Sequence, residues 1–205
     1  MTAYLHKGDL PADVFAPGAI AVDCEAMGLN QLRDRLCVVQ LSDGWGDEHL
    51  VQFPLGQFDA PNLKAVLTDP SRLKILHFAR FDVALIQQYL GIVMAPVWCT
   101  KIASKLIRTY TDRHGLKDLA REVIGQDISK QQQSSDWGAE TLSEAQIEYA
   151  ASDVRYLHRI KAILEERLER EGRTALAQAC FDFLPTRAAL DLAGWADKDI
   201  FSHES

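Results

Sequence analysis

The sequence predicts one α/β domain built on a mixed sheet, with helices around it and a helical C-terminal extension. Three observations point there. Short apolar runs bounded by turn residues crowd the first part of the chain, strand-like and helix-like runs alternate through the middle, and the last third reads as helix. The 205 residues suffice for one well-buried core, and the 47% hydrophobic and 25% charged fractions are ordinary for a globular protein.

The elements follow in order. "GAIAVDCEAM" begins after Pro17-Gly18 and reads as a buried strand over residues 19–25. "DRLCVVQLSD" and "EHLVQF" are separated by Asp43-Gly44 and Gly46-Asp47, which suggests two strands joined as a hairpin. A short helix over residues 62–68 is closed by Asp69-Pro70. "RLKILHF" reads as a further strand, and "FDVALIQQYL" as a helix opened near Asp82 and ended by Gly91. "APVWCT" leads into the helix "KIASKLIRTY". In "LKDLAREVIG", Leu116, Leu119, Ala120 and Val123 recur at helical spacing until Gly125 stops them. Residues 126–141 form a polar loop. Ser143 and Gln146 then make a capping box at the head of a long helical run, and the final stretch is expected to break near Pro185.

Several function classes are disfavoured. No apolar run approaches the roughly 18–20 residues needed to span a bilayer, so no membrane partner is expected. The N-terminus has no apolar block behind a basic start, which predicts no secretory signal. Cys24, Cys37, Cys99 and Cys180 lie far apart without a C-x-x-C pair, so reduced thiols in a cytoplasmic protein are expected. The six histidines show no H-E-x-x-H pattern, which argues against a zinc hydrolase. A formal net charge of −7 speaks against a nucleic-acid partner, unless bound cations raise the potential of an acidic cleft.

The carboxylates carry the chemistry. In a strand, Asp23 and Glu25 share a face and Cys24 takes the other. Two acids there repel by about 4 kcal/mol at about 4 Å and an effective dielectric near 20, so they call for a shared proton, a base or a cation. Tyr149 and Asp153 stand four apart on a helix, and therefore on one face, with small Ala150, Ala151 and Ser152 between them. Asp82 sits where a strand yields to a helix. Each signal alone has an ordinary explanation: a solvated strand end, a half-buried tyrosine beside an exposed acid, a helix cap.

Taken in chain order, D-x-E, Asp and Y-x-x-x-D resemble the motifs of the DnaQ-like (DEDD) exonuclease superfamily, in its tyrosine branch. "AIAVDCEAMGLN", "KILHFARFDVALI" and "LSEAQIEYAASDVRYLHRI" resemble its three motifs, and "ISKQQQSSDW" resembles the loop of ribonuclease D. The resemblance implies a ribonuclease-H-like fold, with a 3′→5′ exonuclease domain over residues 1–171 and a helical extension over 172–205. It implies catalysis by Asp23, Glu25, Asp82, Tyr149 and Asp153, the four acids holding two divalent cations, Mg²⁺ or Mn²⁺. Asp23 would contact both ions and Tyr149 would orient the attacking water.

The partner so implied is the 3′ end of a single-stranded nucleic acid, RNA favoured over DNA, with nucleoside 5′-monophosphates released. The backbone at Ala26 and Met27 would meet the terminal sugar and Leu29 would wedge against the last bases. His77, ahead of the second motif, and Lys130, in the ribonuclease-D-like loop, are further candidate contacts. Lys101, Lys105 and Arg108 recur at helical spacing and form a candidate phosphate track. Two departures stand out. Cys24 replaces a frequent threonine and is expected to face away from the metals, and Phe78 replaces a frequent asparagine, which puts its usual substrate contact in doubt. The 205 residues are expected to be too few to include the helical nucleic-acid-binding domains that follow the catalytic domain in longer ribonuclease D proteins. A DNA exonuclease, or a catalytically silent binding domain on the same fold, are the alternatives.

Overall fold

The computed structural model describes residues 2–129 and 131–203. Its centre is the apolar run after Pro17-Gly18, which forms β2 (Ile20–Ala26) and is paired along both edges. On one edge it runs antiparallel to β3 (Leu36–Ser42), with Asp23 opposite Gln40 and Glu25 opposite Val38. On the other it runs parallel to β5 (Lys74–Leu76), which pairs in turn with β6 (Val97–Cys99). β4 (Glu48–Gln52) closes the expected hairpin with β3. A strand the sequence did not announce, β1 (Ala3–Lys7), lies parallel along β4. The sheet is therefore mixed, in the order β1-β4-β3-β2-β5-β6.

"RLKILHF" yields only three strand residues, because the chain leaves the sheet at His77 to start α2 (Ala79–Leu90). Asp82 thus lies inside the first turn of α2. The N-cap is Phe78, in a left-handed conformation, so the capping explanation of Asp82 is set aside.

Strand alternation gives the sheet two different faces. Val22, Cys24, Val39 and Leu41 join a large core with Val83 and Ile86 of α2 and with Ile160 and Leu164 of α6 (Leu157–Arg170). α1 (Pro61–Thr68), α3 (Thr100–Ile107) and α4 (Leu116–Ile124) complete that side. The opposite face, carrying Asp23, Glu25, Val38 and Gln40, is covered by α5 (Glu144–Arg155). There Ala150 and Ala151 are fully buried against Val38, Leu50 and Trp137, and their small size lets α5 approach the sheet. A larger side chain at either alanine would overpack this contact, at about 1–3 kcal/mol.

α5 starts where the capping box is expected: Gln146 N–H donates to Ser143 Oγ at 3.2 Å and Ser143 N–H donates to Gln146 Oε1 at 3.0 Å. The long helical run is two helices, divided at Tyr156. The predicted break at Pro185 does not occur. α7 (Thr174–Leu190) runs through it, because Phe181, Leu184 and Ala188 are buried on that helix and Phe181 packs on Trp98 with ring centroids 5.0 Å apart. This packing outweighs a proline penalty of about 3 kcal/mol. Asp191, just past α7, accepts from Arg80 of α2 at 2.6 Å and from Arg187, which fastens the extension to α2. No described helix is long and apolar enough to cross a membrane. The four cysteines are free thiols, buried at Cys24, Cys37 and Cys99.

Candidate active site

The acid pair projects from the C-terminal half of β2 toward α5, which brings Tyr149 and Asp153 to it from the covering layer. Asp23, Glu25 and Asp153 each offer an oxygen, and these oxygens all lie within 4.8 Å of one another. Asp82 arrives from α2 on the other side of the strand. Its carboxylate accepts from the thiol and the backbone N–H of Cys24. Cys24 therefore does not stand clear of the acids. It faces away from Asp23 and Glu25, as alternation requires, and α2 places the fourth acid where the thiol points.

One contributor escaped the sequence reading. Gln40, fully buried on β3 directly opposite Asp23, donates Nε2–H to Asp23 Oδ2 at 2.8 Å. A lone amide inside the apolar run "LCVVQLS" was the available signal, and only the strand register says what it faces.

The electrostatics are those of charges held without compensation. Among the described residues, none of the four acids pairs with a lysine or arginine. Burial, then Asp82, Asp153 and Glu25, push the Asp23 carboxyl well above the usual range. Burial, then Asp153 and Asp82, do the same to Glu25. Burial raises Asp153 to about 7 and Asp82 to about 8. Two full charges at such separations repel by about 3 kcal/mol at an effective dielectric near 20. Burial and the neighbouring carboxylates also raise Tyr149, so its phenol stays protonated and donates to Asp153.

The centre opens into a cleft of about 690 Å³. Ala26, Met27 and Leu29 line it from the segment after β2, and Leu29 is 86% exposed there. Gly28 permits that segment's path: a Cβ would lie 2.3 Å from Asp34 Oδ2, and Asp34 itself accepts from Asn30 N–H at 3.0 Å. His77 lines the opposite wall, its Nδ1 2.8 Å from Thr100 Oγ1. The polar loop forms a third wall. It is tied to the sheet by Gln52 donating to the Ala139 carbonyl at 2.9 Å and Arg35 donating to the Gly138 carbonyl at 3.2 Å. Trp137 of that loop packs on Tyr149 with ring centroids 5.9 Å apart. Lys130 lies outside the described residues. Of the basic face, Lys101 lines the cleft and Lys105 is exposed, but Arg108 is only 1% exposed and cannot serve a phosphate track. A buried guanidinium needs its donors satisfied, and Glu122, Ser104 and the Arg113 carbonyl satisfy those of Arg108.

Comparison with known proteins fits this geometry. The family described as 3′-5′ exonuclease matches residues 9–169. The chain belongs to that family. Over its full length and that of its counterpart, it is similar to Brucella melitensis NrnC bound to pGG, at 58% identity and a TM-score of 0.96. The same Brucella protein with bound Mg²⁺ gives 57% identity and a TM-score of 0.96. Escherichia coli RNase D, described as an exoribonuclease involved in structured RNA processing, shares 31% identity over 83% of this chain and 44% of its own, with a TM-score of 0.73. Among curated relatives, the ribonuclease D of Gluconacetobacter diazotrophicus is 35% identical over 75% of this chain. The chain spans only 39% of that relative's length. The fold is the DnaQ-like, ribonuclease-H-like one, with a C-terminal helical extension.

Proposed function

We propose that the chain is a metal-dependent 3′→5′ exoribonuclease of the ribonuclease D type, acting in the cytoplasm on the 3′ end of single-stranded RNA. The observation that carries this reading is the group of converging, half-buried acids without a basic partner among the described residues, closed on one side by a protonated tyrosine. Residues 1–171 would form the exonuclease domain and 172–205 the extension packed on it.

The donor set fits a pair of hard divalent cations. Asp23, Glu25 and Asp153 offer converging oxygens, Asp82 lies beside them, and the mutual repulsion that holds these carboxyls above their usual range is what a cation relieves. Mg²⁺ or Mn²⁺ held there would supply water activation and neutralise charge on the phosphoryl group. The bound Mg²⁺ of the Brucella relative supports this choice.

The chain's own residues do the positioning. Tyr149 keeps its proton and can hold the attacking water by its phenol, a role in orientation more than in proton removal. That water attacks phosphorus, the bond to the 3′ oxygen of the penultimate sugar breaks, and a nucleoside 5′-monophosphate leaves behind a new 3′-hydroxyl end. Gln40 fixes the Asp23 carboxylate. Ala26, Met27, Leu29, His77 and Lys130 are proposed to contact the strand. A cleft of about 690 Å³, together with the pGG held by the Brucella relative, favours very short strands as substrates.

The test is digestion of matched 5′-labelled RNA and DNA single strands with and without Mg²⁺ or Mn²⁺. The expected result is metal-dependent shortening of RNA from its 3′ end, slower on DNA, with Asp23→Asn lowering the rate by about a thousandfold or more. Internal cuts, or near-normal activity in Asp23→Asn, would overturn the reading.

A further inference from the structure

Phe78 is the cleft residue whose placement is hardest to explain by packing. It is a bulky aromatic at φ 61°, ψ 40°, the left-handed region that asparagine and glycine tolerate and a phenylalanine does not favour. Side chains held in such strain are usually repaid by burial, yet Phe78 is 46% exposed and lines the cleft. One face of its ring is covered by a cation: Lys101 Nζ sits 4.1 Å from the ring centroid. Lys101 also lines the cleft and, among the described residues, has no carboxylate partner. Burial and the neighbouring Lys105 hold its ammonium below the ordinary lysine value, so an incoming anion would relieve it.

We propose that Phe78 and Lys101 form a nucleobase subsite of the cleft, in which a base of the strand stacks on the Phe78 ring and Lys101 meets the adjoining phosphate. The chemistry is that of a stacking platform with a cation beside it. An aromatic face accepts any base, while the ammonium adds a contact that salt weakens. The strained backbone at Phe78 has a use on this account, because it presents the ring to the cleft from the turn between β5 and α2, beside the acid of α2. The inference rests on the exonuclease reading and adds to it a residue that selects for a base.

The test compares steady-state hydrolysis of pGG with that of its two singly abasic analogues. In Phe78→Asn, which suits the left-handed backbone and should leave the melting temperature unchanged or raised, KM for pGG is expected to rise about 5- to 150-fold with kcat little changed. Phe78→Trp should keep the parental KM. The abasic analogue lacking the stacked base should show no such rise in Phe78→Asn. Lys101→Met should flatten the dependence of log KM on log salt by about 0.7. The proposal is overturned if KM for pGG is unchanged in Phe78→Asn, if both abasic analogues suffer as much as pGG, or if the salt slope does not move. Failure of the exonuclease reading looks different, since the parent protein would then cleave none of the three.

Discussion

Helix α5 carries two charged residues two positions apart into opposite environments. Arg155 donates to Glu48 of β4 at 2.9 Å, and Glu48 is only 1% exposed. Asp153 instead enters a group of acids where nothing basic waits for it. Glu48 is buried and Asp153 half-buried in the layer between α5 and the sheet, yet the protein neutralises one and leaves the other. Asp191, buried like Glu48, follows the first pattern, held by Arg80 and Arg187 where the extension meets α2. The difference separates charge used to fasten elements together from charge kept available for a cation. A buried acid is evidence for a site only when its own protein fails to satisfy it.

The comparison predicts stability changes of opposite sign. Arg155→Ala strands Glu48 in the interior and should cost about 3–5 kcal/mol, read as a lowered denaturation midpoint. Asp153→Asn removes one of several repelling acids and should raise the melting temperature of the metal-free protein at pH 8. Equal destabilisation by both variants would erase the difference between the two acids.

Smaller effects sharpen it on the functional side. Tyr149→Phe should slow RNA trimming by about 10- to 100-fold while Mn²⁺ affinity, measured by calorimetry, stays near that of the parent. A phenylalanine variant as fast as the parent would remove Tyr149 from the mechanism. Gln40→Leu keeps the shape of a buried strand residue but frees Asp23 Oδ2, and is expected to weaken Mn²⁺ binding by about tenfold or more. Unaltered affinity would leave Gln40 a packing residue.

A further effect is one of pH. Asp153 and Asp82 have folded values of about 7 and about 8 against an ordinary 3.8, so the folded protein holds their protons more tightly than the unfolded chain. The stability this provides is complete below the ordinary value and is lost progressively as pH rises toward 8. The metal-free melting temperature should therefore fall between about pH 5 and pH 8, and Mg²⁺ should restore more of it at pH 8 than at pH 5. A flat or rising profile in the metal-free protein would mean that the acids are compensated by some other group.

Much of the fold was legible because local rules set it. Alternation places Asp23 and Glu25 together, the i to i+4 spacing places Tyr149 with Asp153, and the Ser143–Gln146 box starts α5 where it should. The misreadings share one cause. Pro185 carries a strong local penalty, yet packing of Phe181 on Trp98 keeps α7 continuous. Arg108 falls on a basic helical face by spacing, yet Glu122 and Ser104 fold it inward. The edge strand β1 has too little pattern of its own and exists because β4 offers it an unpaired edge.

By itself the sequence determined which residue types occur in which order, and hence the acid pair, the helical Tyr-x-x-x-Asp and the family they resemble. Only the tertiary structure decided that Gln40 faces Asp23, that Cys24 meets Asp82, and that Lys101 covers Phe78. The physical reason is range. Periodicity and capping act over a few residues, whereas register between strands and docking between layers bring together groups 17, 58 and 23 positions apart (23 to 40, 24 to 82, 78 to 101), and no local pattern encodes that proximity.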